Sequence, residues 1–253
     1  MSTFVKLLPP TIMDEIEEPV SIHAEPVIER ENIPPLHTAG WTLESFAAEQ
    51  IRGLVRQVFL PGWPRPCRQV VFSPVDQGAD IAPICMQIGQ TLADEGSGVA
   101  CVVEACLTGR AEDANMNVNM KDRLAAVGSE KRFGTLRDQS QQLSASLWFM
   151  SRDVFLGENE SGFSTAWLRA RLAELRLEFD YTVLHGPAAG FGSDAALLGA
   201  TCDGLVLVLQ ANTTRRATAQ RVKETLHSAN ARLLGTVLSE RTFPIPSSLY
   251  RKL

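Results

Sequence analysis

Val70-Val71-Phe72-Ser73-Pro74-Val75-Asp76-Gln77-Gly78-Ala79-Asp80-Ile81-Ala82 runs from an apolar stretch, through a turn holding one glycine, into a helical pattern over 81–94. A strand that feeds a helix through a short loop is the opening unit of an α/β sheet. The chain repeats that alternation downstream of the quoted stretch. Short β-branched runs stand at 69–73, 99–104, 181–185, 205–210 and 234–238, and helical patterns fill 81–94, 164–178, 193–200 and 214–229. The strands are continuous apolar runs without polar alternation, so both of their faces are buried. The expected fold class is α/β: a mostly parallel sheet with helices on both faces.

Upstream, Thr42 can cap a helix whose apolar residues Leu43, Phe46, Ala47, Ile51, Leu54, Val55 and Val58 fall at helical spacing, and Pro61-Gly62-Trp63-Pro64 stops it. The globular domain is therefore placed at 41–253. Residues 1–40 hold six of the fourteen prolines, with two basic and seven acidic side chains that account for the whole net charge of −5. Proline removes hydrogen-bond donors and like charges repel, so this segment is expected to be an extended, disordered tail. Its one apolar cluster, Phe4-Val5-Lys6-Leu7-Leu8, reads either as a plain terminus or as a docking segment for a partner. Between 107 and 160 the pattern is weakest. Asn115, Asn117 and Asn119 alternate with Met116, Val118 and Met120, as a linker or an edge strand would, and 147–150 is apolar enough for one more strand.

Composition excludes several classes. With 45% hydrophobic and 21% charged residues the chain is neither collagenous nor wholly disordered. No apolar run approaches the roughly 18 residues needed to cross a bilayer, and the first residues do not form a secretory signal, so a cytoplasmic location without direct membrane insertion is expected. Beyond residue 40 acids and bases balance, which leaves no basic excess for nucleic acid. The five cysteines (67, 85, 101, 106 and 202) form no Cys-x-x-Cys pair, and read as reduced, mostly buried side chains rather than metal ligands.

The strand-to-helix loop and the segments downstream of it resemble the P-loop ATPases of the MinD/ParA type. They are closest to the cytoplasmic domain of bacterial tyrosine autokinases and of capsule and exopolysaccharide co-polymerase proteins. Phe179-Asp180-Tyr181-Thr182-Val183-Leu184-His185-Gly186-Pro187 resembles the family's Tyr-Asp-Tyr-hydrophobic-Asp-Thr-Pro strand, and Ser193-Asp194-Ala195 its Ser-Asp-Ala helix start. Asp203-Gly204-Leu205-Val206-Leu207-Val208 with Thr213-Thr214-Arg215-Arg216 resembles the next strand and helix. Leu234-Gly235-Thr236-Val237-Leu238 and Phe243-Pro244-Ile245-Pro246 resemble the last strand and tail. The resemblance covers about 41–253 and implies a P-loop NTPase-like fold with an ATP and magnesium site.

The residues that would build that site are altered. Family members carry Gly-x-Gly-Lys-Ser/Thr-Thr, whose backbone N–H groups wrap phosphates, whose lysine reaches the β and γ groups, and whose hydroxyl ligates magnesium. Here the degenerate positions are Asp76, Gly78, Asp80 and Ile81, with Asp80 in place of the lysine and Ile81 in place of the hydroxyl residue. As a helix cap, Asp80 would also occupy the N–H groups that an anion needs. Glu104 keeps one of two family carboxylates and Cys106 replaces the other. His185 stands for the strand-end aspartate that holds magnesium, and Ser239 for an asparagine that recognises adenine. A histidine suits magnesium poorly, because that ion prefers oxygen ligands.

Autokinases of this family carry a terminal tyrosine cluster as their own substrate, whereas this chain has two tyrosines, Tyr181 in a strand and Tyr250. Their Glu-x-x-Arg-x-x-Arg ring-assembly element is matched by Glu49 and Arg52, but Val55 replaces the second arginine and Arg56 falls one residue late. That leaves homo-oligomerisation open; a solvated helix face is the plainer reading of Arg52 and Arg56. No Gly-x-Ser-x-Gly elbow offers a replacement hydrolase among His185, Ser193 and Asp194. Gly190-Phe191-Gly192 reads as a flexible turn before a capped helix.

The sequence reading is a pseudo-ATPase or pseudokinase with no catalytic residues, no bound cofactor and no metal. It is expected to act as an accessory or regulatory protein in exopolysaccharide or capsule biosynthesis and export. Its expected partner is a membrane polysaccharide co-polymerase or an active homologous ATPase or kinase, which could hold it at the inner membrane. The alternatives are an atypical ATPase or tyrosine autokinase that binds ATP and magnesium with Glu104 as metal partner, and a MinD/ParA-like positioning protein.

Overall fold

A computed structural model describes residues 43–60, 66–95, 98–107, 134–157 and 164–240. The expected tail at 1–40, the Thr42 cap, the Pro61–Pro64 stop, the Asn115–Asn119 stretch and the segment holding Tyr250 all lie outside the described residues. In chain order the elements are α1 (Leu43–Val58), β1 (Gln69–Pro74), α2 (Ala82–Glu95), β2 (Ala100–Glu104), α3 (Leu136–Gln139), β3 (Gln141–Ser144), β4 (Leu147–Met150), α4 (Arg152–Leu156), α5 (Thr165–Glu178), β5 (Tyr181–His185), α6 (Asp194–Thr201), β6 (Gly204–Gln210), α7 (Arg216–Ser228) and β7 (Leu233–Ser239).

The seven strands form one sheet in the order β3-β4-β2-β5-β1-β6-β7, parallel throughout except for the β3–β4 pair. β1 lies inside it, paired with β5 on one side and β6 on the other, and Val70, Val71 and Phe72 are wholly buried. Successive strand residues point to opposite faces. Val70, Phe72, Val102, Val183, Val206 and Val208 therefore join one core with Ile51, Leu54, Val55 and Val58 of α1 and Ile84, Ile88 and Leu92 of α2. Val71, Cys101, Val103, Leu184, Leu205 and Leu207 join the second core with Leu168, Leu172 and Leu175 of α5, Leu198 of α6, and Val222 and Leu226 of α7. The expected α/β architecture is what the molecule has.

The further strand expected at 147–150 is present as β4. Not anticipated were β3, which pairs with β4 as an antiparallel edge, and the short helices α3 and α4 on either side of the hairpin in the chain. α3 is held by caps rather than by an apolar stripe. Thr135 and Asp138 form a reciprocal capping box, and the Glu178 carboxylate accepts the N–H groups of Leu136 (3.0 Å) and Arg137 (2.6 Å). The Arg137 guanidinium lies 4.0 Å over the Trp148 ring. On α1, Arg52 and Arg56 lie on an exposed face, where Arg52 pairs with Glu49 and Glu95, and Arg56 with Glu95, linking α1 to α2.

At the amino ends of the strands a polar network ties the sheet together. The Asp203 carboxylate accepts the N–H groups of Arg68 and Gln69, at 2.8 Å each, and the guanidinium of Arg176. Arg176 Nε also donates to Gln69 Oε1, and Gln69 Nε2 to the Leu172 carbonyl, at 2.8 Å each. Burial alone would push the Asp203 carboxyl up, but the bonds from Arg176, Gln69 and Arg68 outweigh it and hold the group below its ordinary 3.8. A depressed carboxyl stabilises the fold above its unfolded pKa, and that contribution is lost as pH falls through the folded value. Asp203→Ala, which leaves two N–H groups and a guanidinium without their acceptor, is expected to cost about 1–3 kcal/mol in urea unfolding at pH 7. The gap between wild type and variant should shrink below pH 3.8; a gap independent of pH would contradict this account.

Candidate functional site

The loop after β1 is built around its own side chains. Gly78 adopts a left-handed φ of 82°, which a residue with a Cβ rarely takes. Asp80 follows two residues later, and its Oδ1 accepts the N–H of Ala82 at 3.0 Å. That bond satisfies one of the orphan donors at the start of α2. Pro83, in the first turn, needs no donor of its own. Ile81 turns inward, is 1% exposed, and packs into the core shared by α1 and α2.

Neighbouring loops clamp this one. The Thr214 hydroxyl donates to the Asp76 carboxylate and accepts the Gln210 N–H at 2.9 Å, which fixes the turn between β6 and α7 against the loop. On the other side the Ser73 hydroxyl donates to the Pro187 carbonyl. The N–H groups of Ala189 and Gly190 donate to the carbonyls of Pro74 (2.8 Å) and Val75 (3.1 Å). A Cβ on Gly190 would lie 2.6 Å from the Val75 oxygen, so the approach depends on glycine. The helix start that follows is plainer than expected, since Ser193 makes no side-chain cap bond.

Glu104 and His185 end adjacent strands and lie opposite one another in register, with Phe72 of β1 opposite His185 on its other side. The Glu104 carboxylate accepts the Arg152 N–H at 3.3 Å, while Arg152 Nε donates to the Cys106 carbonyl at 2.8 Å. Burial pushes the Cys85 thiol up, and the Asp80 carboxylate adds to the shift. Asp76, Gly78, Asp80, Glu104, Cys106 and His185 thus gather at the carboxyl ends of β1, β2 and β5, where open α/β sheets place their ligands. Ser239 ends the edge strand β7, two strands from β1, and its hydroxyl donates to the Leu209 carbonyl at 3.2 Å. Sequence reasoning missed the role of Thr214. A threonine before a helix signals a local turn, but its partner Asp76 lies 138 positions away in the chain.

These residues do not fit ATP with magnesium. A polyphosphate at the loop would meet the Asp80 carboxylate, and two unit charges about 4 Å apart repel by roughly 4 kcal/mol at an effective dielectric of 20. Ile81 brings no oxygen and points into the core. Among the described residues no group of three His, Cys, Asp or Glu side chains is placed to hold a metal, and no helix is long and apolar enough to cross a membrane. The five cysteines, all among the described residues, form no disulfide.

Asp80→Ala should lower unfolding stability by about 1 kcal/mol through the lost cap. Thr214→Val should cost about 1–3 kcal/mol by leaving the Asp76 carboxylate and the Gln210 N–H without their partner. Urea denaturation measures both, and an unchanged midpoint in the second would show that the clamp contributes nothing.

No protein-family model matches the chain. A stretch of 75 residues is 31% identical to the tyrosine-protein kinase CpsD of Streptococcus agalactiae, and covers 30% of this chain and 33% of that relative. A stretch of 76 residues is 29% identical to the tyrosine-protein kinase YwqD of Bacillus subtilis, with 30% and 32% covered. The chain therefore matches about a third of the length of these relatives. Among solved structures, the kinase domain of the Escherichia coli tyrosine kinase ETK superposes with a TM-score of 0.57 at 13% identity, over 79% of each chain. The kinase domain of VpsO gives 0.56 at 17% identity, over 79% of this chain and 98% of that one. A plasmid partition protein from Borrelia burgdorferi gives 0.51 at 9% identity, over 74% and 87%. The relatives of this chain are bacterial tyrosine-protein kinases, and its fold is the P-loop ATPase fold that their kinase domains share with plasmid partition proteins.

Proposed function

We propose that this chain is a non-catalytic accessory or regulatory protein of bacterial exopolysaccharide or capsule biosynthesis and export, acting through protein–protein contacts. One observation carries the reading: Asp80 stands where a P-loop lysine would reach the phosphates, and its carboxylate is bonded to the N–H at the start of α2. Cys106 and His185 in place of metal-holding carboxylates support it. The kinase relatives support the biochemical setting. The partner is a membrane-bound co-polymerase or an active homologous kinase, and the chain reaches the inner membrane through it. The outer face of α1, braced on α2 by the Arg52 and Arg56 ion pairs, is a surface for that contact.

A second reading, an atypical ATP-binding kinase, is favoured by the left-handed turn at Gly78, since such turns can point backbone N–H groups at an anion. Calorimetric titration with ATP or ADP and magnesium separates the two. The first reading expects no heat from the wild type at millimolar nucleotide, and measurable binding restored in part by Asp80→Lys with Ile81→Ser. Wild-type binding tighter than about 100 μM, worth roughly 5.5 kcal/mol, would overturn it in favour of the second.

A further inference from the structure

α5 has two apolar faces. Leu168, Leu172 and Leu175 point into the core beneath the sheet. On the opposite side Ala166, Ala170, Ala173 and Leu177 follow one another at intervals of four, three and four residues, which keeps them on one line along the helix. All four are exposed, and Leu177, at 87%, is the most exposed large hydrophobic side chain among the described residues. A surface helix ordinarily turns its charges outward and its apolar stripe inward. Here the charges stand at the margins of the outer line, Arg169 on one side and Glu174 on the other, both exposed. Among the described residues no hydrogen bond or ion pair engages the Arg169 side chain. Glu174 pairs with Arg171 at 2.9 Å but leaves 53% of its side chain in solvent.

This face is complementary to a second copy of itself. Alanines along the line let two helix axes approach to about 8 Å, and the exposed Leu177 then finds cover against its equivalent. The margins decide the orientation. When two copies of α5 lie parallel about a two-fold axis, the margin that holds Arg169 of one copy meets the margin that holds Glu174 of the other. The two residues are five positions apart, as the paired charges of a parallel coiled coil are. When the helices lie antiparallel, each margin meets its own equivalent, so Arg169 faces Arg169 and Glu174 faces Glu174, and like charges repel. We propose that the outer face of α5 is a homodimer interface. α5 pairs with its copy in parallel about a two-fold axis, with Ala166, Ala170, Ala173 and Leu177 in the seam and an Arg169–Glu174 ion pair between the copies on each side of it. α5 and α1 cover opposite faces of the sheet, so the dimer leaves the outer side of α1 open, and it does not depend on whether the β1–α2 loop binds nucleotide.

The test is sedimentation equilibrium on the full chain at low salt. The wild type should dimerise with a Kd below about 100 μM. Leu177→Asp, which sets a charge in the seam, should raise that Kd about 30-fold or more. Arg169→Glu and Glu174→Arg should each weaken the dimer about 10-fold, and the two together should restore it, which a variant that merely misfolds cannot do. In an antiparallel pair Arg169→Glu would only exchange one like-charge contact for another. Orientation is read by oxidising a single-cysteine substitution: Ala173→Cys should cross-link to its own copy, against the background set by the wild type, in which Cys106 and Cys202 are half-buried. A chain that stays monomeric up to about 100 μM would overturn the proposal. So would a dimer that survives Leu177→Asp, a charge swap without rescue, or the absence of a cross-link from Ala173→Cys.

Discussion

The position of β1 between two parallel neighbours governs the rest of the molecule. Every backbone donor and acceptor along a central strand must find a partner in the sheet, because both faces are covered and water cannot substitute. Val70, Val71 and Phe72 meet that demand with β5 on one side and β6 on the other. Because the ladders are parallel, the loops leaving β1, β5 and β6 emerge along one edge. They meet there as neighbours, through Ser73 with Pro187, Gly190 with Val75, and Thr214 with Asp76. The opposite edge is closed by Asp203, which holds the entry to β1 and the end of α5 together.

At the loop the consequence is chemical. A helix start offers N–H groups to whatever anion stands before it. In this chain the anion is a side chain of the loop, Asp80, and the residue after it is used for packing. Ile81 adds apolar surface to the core beneath α1 and α2, which a serine or threonine would not. The segment thus draws its order from internal contacts. That is the physical basis of the non-catalytic reading proposed above.

The α/β alternation was legible because fully buried parallel strands leave unbroken apolar runs, as in Leu205–Val208, and because helices such as α5 and α7 show a 3.6-residue stripe. The place of the loop was legible for the same local reason, from the order strand, turn, helix; that Asp80 and Ile81 stand where family members carry a lysine and a hydroxyl residue is what the resemblance implies. β3 and α3 escaped notice because neither carries an apolar signature. Gln141–Ser144 is half exposed, and α3 is held by Glu178, which lies more than forty positions downstream. The pairing of Arg52 and Arg56 with Glu95 escaped for a similar reason, since its partner lies on another helix.

What the sequence by itself determined is therefore what short-range periodicity and residue type control: the fold class, the place of the loop, and the absence of a lysine and a hydroxyl residue in it. Only the tertiary structure decided which groups meet. The strand order brings Glu104 beside His185, and the β6–α7 turn delivers Thr214 to Asp76. Such juxtapositions depend on register and crossover between segments far apart in the chain, and local propensity carries no record of them.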